Sequence, residues 1–294
     1  MELQRKARLA TAKIAMEKAW AAAGGPKSKV GLPRNGQVEV REVTQSGETN
    51  GALIGYVADF RGGSITLSPD GTRSATKTET LVSIMLVGLE CEVRQEATDE
   101  MYGLVSILGP SDSTVVSKRF PDSGTLNMGP DGIRINDMAV MLIDGGVIQN
   151  YQIMGCLFEH DSGDVDVIAK DVSDKVASTA AEALGGLTGA PAEAVGDSES
   201  FKQNLASGLA WVFGNVLGMG DDPYDPQSIS LPWSTLVSGA VSVQPPIHRN
   251  DDSRTIEDWT HKIVLSGVDD GGDRGQYVLY FRVWTTQDVQ TTTS

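Results

Sequence analysis

The chain has 294 residues, of which 40% are hydrophobic and 21% are charged, and it contains 33 Gly and 12 Pro. This composition excludes a coiled coil and a disordered chain, and it is typical of a turn-rich globular protein with one large domain or two. The formal net charge of −15 repels phosphate groups, so we expect no nucleic-acid partner.

The small number of Cys and His residues, and the lack of membrane-span and signal-peptide patterns, further limit the classes of function to consider. The chain has two Cys and three His, which is too few for a disulfide framework and offers little for a zinc site. No apolar run approaches the ~20 residues that span a bilayer, and the sequence shows no signal-peptide pattern. A membrane partner stays open but is not favoured. The localisation is unknown; a cytoplasmic location is the default expectation, with export by specialised machinery left open.

A basic amphipathic helix is predicted at residues 1–25. Residues 1–23 contain no Gly or Pro and are followed by Gly-Gly-Pro, which ends a helix. Its apolar stripe includes Leu9, Met16 and Trp20 at helical spacing. Such a stripe needs a surface to cover it, and two are open: the chain's own domain, or a neighbouring subunit or anionic surface.

Charge is distributed unevenly along the chain. Residues 1–34 hold eight Lys or Arg and two Glu, whereas the remainder holds 16 Lys or Arg and 37 Asp or Glu. The basic arm of one copy would attract the acidic body of another, above all at low salt. We therefore expect a homo-oligomer or a protein partner, with Leu9, Met16 and Trp20 at the contact.

Alternating segments predict a mainly β protein. After a Gly- and Pro-rich linker at residues 26–36, residues 37–166 are assigned to the first part of a β-sandwich. Its strongest strands are expected at 81–93, 102–109 and 151–160, which are long apolar segments. Several short strands separated by Asp, Gly and Pro turns favour an antiparallel β-sandwich.

The pattern changes again after the first part of the sandwich. Residues 167–220 carry Ala, Leu and Lys at helical spacing, interrupted by Gly-Gly and Gly-Ala-Pro, which predicts an inserted helical hairpin. Residues 221–285 return to strand character and are expected to close the sandwich. The polar residues 286–294 are expected to form a mobile tail.

Acidic residues cluster where the predicted strands end. A hard cation such as Ca²⁺ prefers about six to eight oxygen ligands, which carboxylates on adjacent loops supply. Unpaired carboxylates a few ångströms apart repel one another, and a bound cation removes that cost. We therefore expect calcium as the cofactor. The candidate metal ligands are Glu96, Asp99, Glu100, Glu159, Asp161, Asp164 and Asp166.

Two of these loops carry a resemblance to a known family. Residues 97–110, ATDEMYGLVSILGP, follow the apolar strand at 81–93, and residues 156–166 read CLFEHDSGDVD. In order and spacing these segments resemble two loops of the calcium-dependent phospholipid-binding β-sandwich domains of the synaptotagmin and protein kinase C type. The resemblance is partial and covers residues 81–166.

The resemblance implies which carboxylates bind the ion. Asp99 would occupy the position of the first loop's Asp, Glu159 and Asp161 the paired acidic positions, and Asp164 or Asp166 the last. The chain departs from the family at Met101, where the family has Pro, and at Glu159, which replaces an Asp. The basic strip that holds acidic lipid is also missing, so we carry over the metal loops and not the lipid function.

A second group of acidic turns follows the predicted hairpin. These turns could form another cation site, but Asp and Gly are favoured in turns for local reasons, so hydrated turns are the preferred interpretation. The secondary metal candidates are Asp221, Asp222, Asp225, Asp269, Asp270 and Asp273.

The leading hypothesis is a non-catalytic, calcium-binding β-sandwich that acts as a binding or assembly component. No G-x-S-x-G, P-loop, H-E-x-x-H or strand-linked G-x-G-x-x-G motif is present. Two rivals remain. One is a carboxylate-based hydrolase in which His160 serves as the general base; the other is a membrane-acting, pore-forming toxin that uses the helical hairpin.

Overall fold

The computed structural model describes residues 2–45, 52–78, 80–109, 114–128, 134–135, 138–161, 164–185, 221–238, 261–268, 272–286 and 290–293. Its fold class confirms the sequence-based prediction, because the protein is mainly β with several antiparallel sheets and an N-terminal helix. In chain order, the described helices and strands are α1 (Glu2–Ala22), β1 (Arg41–Thr44), β2 (Leu53–Asp59), β3 (Gly63–Leu67), β4 (Ser74–Thr78), β5 (Leu81–Val93), β6 (Asp99–Gly109), β7 (Thr114–Phe120), β8 (Leu126–Met128), β9 (Arg134–Ile135), β10 (Val140–Gly146), β11 (Tyr151–His160), α2 (Val165–Gly185), β12 (Asp221–Pro223), β13 (Gln227–Leu231), α3 (Trp233–Ser238), β14 (His261–Val268), β15 (Arg274–Thr286) and β16 (Gln290–Thr293).

The N-terminal unit consists of α1 and a five-stranded sheet in the order β1-β2-β3-β4-β16. The helix packs on this sheet through Ala12 and Met16, which are buried with Phe60 and Ile65 in one apolar cluster. The strands at 41–78 thus pair in a sheet of their own. Residues 290–293, expected from the sequence to be a polar tail, form its edge strand next to β4.

The segment that the sequence presents as a linker is tied to this unit. Gly25–Lys27 form a short 3₁₀ helix, and Val30 is fully buried in the apolar cluster beneath α1. Trp20 stacks on Phe60 and donates its indole N–H to Gly31 O at 2.9 Å. The chain therefore folds back on α1 over these residues.

The remaining strands form two sheets that share one core. The first has the order β10-β5-β15-β14, with β9 on β5; the second has the order β12-β11-β6-β7, with β13 on β11 and β8 on β6. Alternate residues of β5, β6, β11 and β15 meet in a single apolar cluster, as expected for a sandwich. The sheets approach so closely that a Cβ at Gly155 would lie 2.6 Å from Leu279 Cδ1.

Helix α2 packs on the outer face of the second sheet. It contacts β6 and β7 and buries Ala169 and Val172 completely. This helix begins within two residues of the predicted start of the hairpin at 167. Residues 186–220, which would hold the rest of the hairpin, lie outside the described residues.

Candidate functional site: an acidic rim of the sandwich

The acidic clusters meet at one end of the sandwich. A short loop connects the end of β5 at Val93 to the start of β6 at Asp99, and Val93 pairs with Gln276 near the start of β15. On the second sheet, Glu159 of β11 lies opposite Met101 of β6 on one side and opposite Asp222 of β12 on the other. This end is termed the acidic rim. Its acidic residues with described side chains are Glu92, Glu96, Asp99, Glu100, Glu159, Asp161, Asp225 and Asp273.

Asp99 points into the protein rather than toward solvent. It is fully buried, and its carboxylate accepts hydrogen bonds from Glu96 N at 2.9 Å, Gln95 N at 3.2 Å and Tyr277 Oη at 2.5 Å. Three donors thus occupy both carboxylate oxygens. This arrangement closes the loop between β5 and β6, which makes Asp99 a structural residue and a poor metal ligand.

Tyr224 and Tyr277 stabilise the loop between β5 and β6 through their hydroxyl groups. The Tyr224 ring packs edge-on against Tyr277, with ring centroids 5.3 Å apart, and its hydroxyl donates to Gln95 Oε1 at 2.7 Å. Space for Tyr224 depends on Gly275, where a Cβ would lie 2.1 Å from the Tyr224 hydroxyl. The rim is therefore supported by residues that are far from it in sequence.

Glu159 is the carboxylate whose surroundings are unfavourable to its charge. Only 4% of it is exposed, and its Oε1 accepts a hydrogen bond from Glu100 N at 3.4 Å. Burial raises the pKa of Glu159 to about 8; its hydrogen bond to Asp161 and the charges of Asp161 and Glu96 act in the same direction, while the Glu100 N–H lowers it. Burial therefore favours the protonated form of Glu159.

Asp164 and Asp166 serve the start of α2. Asp164 Oδ1 accepts hydrogen bonds from Asp166 N at 3.1 Å and Val167 N at 3.4 Å, which is the geometry of an N-cap. Asp166 pairs with Arg119 and accepts Gly124 N–H at 3.0 Å. Its hydrogen bond with Arg119 lowers the pKa of Asp166. Both carboxylates are thus committed to local structure.

The other candidate metal ligands are either exposed at the rim or lie outside the described residues. Glu96, Glu100, Asp161, Asp225 and Asp273 are exposed at the rim. Residues 269 and 270, and the side chains of residues 221 and 222, lie outside the described residues. Within the part of the chain that the structure describes, no three His, Cys, Asp or Glu side chains are grouped closely enough to hold a metal ion.

The apolar stripe of α1 is covered within the chain itself. Met16 is fully buried, and Leu9 and Trp20 pack against the same cluster on the N-terminal sheet. Of the two covering surfaces that the sequence left open, the chain's own domain takes this stripe. Contact of Leu9, Met16 and Trp20 with another subunit is therefore not needed to cover this stripe.

The remaining chemical candidates are one histidine and two cysteines. His160 is half-buried, with its ring 6.4 Å from Tyr102 in an edge contact. Cys91 and Cys156 are buried, and burial raises the pKa of both thiols, that of Cys156 to about 12. Both cysteines are consequently protonated and unreactive. Among the described helices, none is both long and apolar enough to cross a bilayer.

Sequence reasoning missed the residues that hold the rim together. Tyr224 and Tyr277 were not singled out, although Tyr224 follows an acidic turn and Tyr277 alternates with other buried residues of β15. Comparison of the chain with protein-family models, with curated proteins and with solved structures finds no match.

Proposed function

We propose that the acidic rim binds a divalent cation, with Ca²⁺ as the best-fitting ion, and that the protein is a non-catalytic binding component. The observation that carries the proposal is Glu159, a nearly buried carboxylate whose pKa is raised by burial and by the charges of Asp161 and Glu96. Concentrated carboxylate oxygens attract a hard cation, and a divalent ion offsets the repulsion among them.

The geometry revises the ligand set that the sequence suggested. Asp99, Asp164 and Asp166 are engaged in hydrogen bonds, so Glu96, Glu159 and Asp161 remain as the proposed ligands. Because no three such side chains are grouped closely enough among the described residues, binding requires the exposed Glu96 and Asp161 side chains to turn toward Glu159, with carbonyl groups and water completing the coordination. The resemblance to calcium-dependent phospholipid-binding domains also supports calcium, on two loops that are adjacent here.

A thermal melting experiment with added Ca²⁺ tests the proposal. At a Ca²⁺ concentration 100 times the Kd, binding adds about 2.7 kcal/mol to the free energy of unfolding, which raises the Tm by several degrees. We expect Glu159→Gln to remove this rise, because a neutral amide replaces the central carboxylate. The rise should also be larger at pH 8.5 than at pH 6.5, since the ion must displace the proton.

Asp164→Asn is the matched control for this experiment. Asparagine also caps helices, and Asp164 accepts hydrogen bonds from two backbone N–H groups at the start of α2. This variant should retain the full Ca²⁺ response. A wild-type Tm that does not change at about 10 mM Ca²⁺, or a response lost in Asp164→Asn and kept in Glu159→Gln, would refute the proposed site.

A further inference from the structure

Helix α1 has a second apolar face, which its own sheet leaves uncovered. Leu3 is 82% exposed and Ile14 is 57% exposed. Ala7 and Ala10 are also exposed and lie between them at helical spacing. This outer stripe (Leu3, Ala7, Ala10 and Ile14) lies opposite the face that packs on the N-terminal sheet. Its small central residues would let another surface approach the helix backbone closely.

The charges around the outer stripe are mainly ammonium groups. Lys6, Lys13 and Lys18 flank the stripe, together with Glu17, whose carboxylate lies 4.0 Å from Lys13 Nζ. The two arginines of the helix are directed elsewhere, because both bind Glu42 of β1. The outer stripe is thus an apolar strip with a basic border.

A cleft with exposed apolar groups lies beside the acidic rim. It has a volume of about 630 Å³ and is lined by residues of β12, β14 and β15 together with the end of β5. Val93 is 48% exposed and Val268 is 57% exposed in this cleft. Its charged lining groups are Asp225 and Arg274, and Glu92, which binds Gln276 Nε2, lies beside it. It is termed the rim cleft.

We infer that the outer stripe of α1 in one copy docks into the rim cleft of a second copy. Apolar groups then face apolar groups, and the lysine border faces the acidic rim, which carries many more carboxylates than cations. The outer stripe is not complementary to itself, because its lysines would meet lysines. The contact therefore joins two different surfaces, head to tail, and repetition gives rings or open chains.

Sedimentation velocity on two variants tests this contact. Ile14→Glu alters the helix surface, and Val268→Lys alters the cleft; both side chains are exposed, so the fold should tolerate each change. In low salt with EDTA, the associated fraction of the wild type should increase as its concentration rises. It should decrease as salt is added. Each variant alone should be monomeric or at least tenfold weaker in association.

Mixing the two variants provides the decisive result. Each retains one intact surface, so an equimolar mixture should form dimers that do not grow further. Ile54→Glu is the matched control, since Ile54 is 53% exposed on β2 and belongs to neither surface; it should associate like the wild type. EDTA keeps the outcome independent of the proposed calcium site.

Three outcomes would overturn the inference. The first is a wild type that stays monomeric at all concentrations in low salt. The second is association of either single variant as strong as that of the wild type. The third is a mixture that stays monomeric although the wild type associates, which would mean that the outer stripe and the rim cleft do not bind each other.

Discussion

The two loops of the acidic rim place similar groups in opposite situations. In the loop between β5 and β6, the buried Asp99 accepts hydrogen bonds from two backbone N–H groups and Tyr277. At the end of β11, Glu159 is also buried, yet it accepts one backbone N–H, from Glu100, and is influenced by another carboxylate, Asp161. The difference shows that donor supply, rather than burial, decides whether a carboxylate stabilises the fold or is available to bind a cation.

The largest effect is expected where the donors are satisfied. Asp99→Ala leaves Gln95 N, Glu96 N and the Tyr277 hydroxyl without their acceptor, which should lower the free energy of unfolding by about 3 kcal/mol or more. Urea unfolding followed by circular dichroism measures this loss. The exposed Asp273→Ala is the control and should change stability by no more than about 0.5 kcal/mol. Equal effects of the two changes would mean that Asp99 does not hold the loop.

A pH-dependent effect is expected at the other loop. The pKa of Glu159 is about 8 in the fold, whereas its ordinary value is 4.5, so the fold binds the proton more tightly than the unfolded chain. The resulting stability is complete below pH 4.5 and is lost as pH rises through 8, at up to about 1.4 kcal/mol per pH unit.

Urea unfolding at several pH values between 5 and 9 checks this expectation. Glu159→Gln should flatten the dependence, because glutamine is neutral throughout, and should be more stable than the wild type at pH 9. Glu100→Gln, a neighbouring exposed carboxylate, should leave the slope intact. A slope that persists in Glu159→Gln would assign the bound proton to a different group.

The smallest loss of stability is expected at Asp164, which caps α2 and belongs to neither loop of the rim. Asp164 caps α2 through two backbone N–H groups, so Asp164→Ala should cost about 1 kcal/mol, while Asp164→Asn should cost only a few tenths. The midpoints of urea denaturation measure the two variants. If alanine and asparagine are equally harmful, the charge of Asp164 contributes beyond capping.

The sequence was informative about which segments meet, and less so about where their side chains point. The order and spacing of the two acidic loops, and their resemblance to a known sandwich family, predicted that the loops around Glu100 and Glu159 lie at one end of a sandwich. The inward orientation of Asp99 depends on Tyr277, 178 positions away, and no local pattern encodes that contact. The cap at Asp164 had a local signal, since an Asp precedes a helical segment.

The sequence also did not show to which sheet each strand belongs. The strands at 41–78 alternate like those of the sandwich, yet they pair under α1. Alternation reports which side of a strand is buried and not which strand lies beside it. The apolar stripe of α1 likewise required a cover, and only the structure distinguishes its own sheet from a neighbouring subunit.

Strand β16 makes the sandwich an insertion within the N-terminal sheet. The edge of β4 that β16 covers is unpaired until the ribosome has made every strand of the sandwich. During synthesis, α1 and strands β1 to β4 therefore have an unpaired backbone edge. Strands of nascent chains on neighbouring ribosomes can pair with this edge. Completion of the N-terminal sheet thus depends on a strand that is synthesised after those of the sandwich.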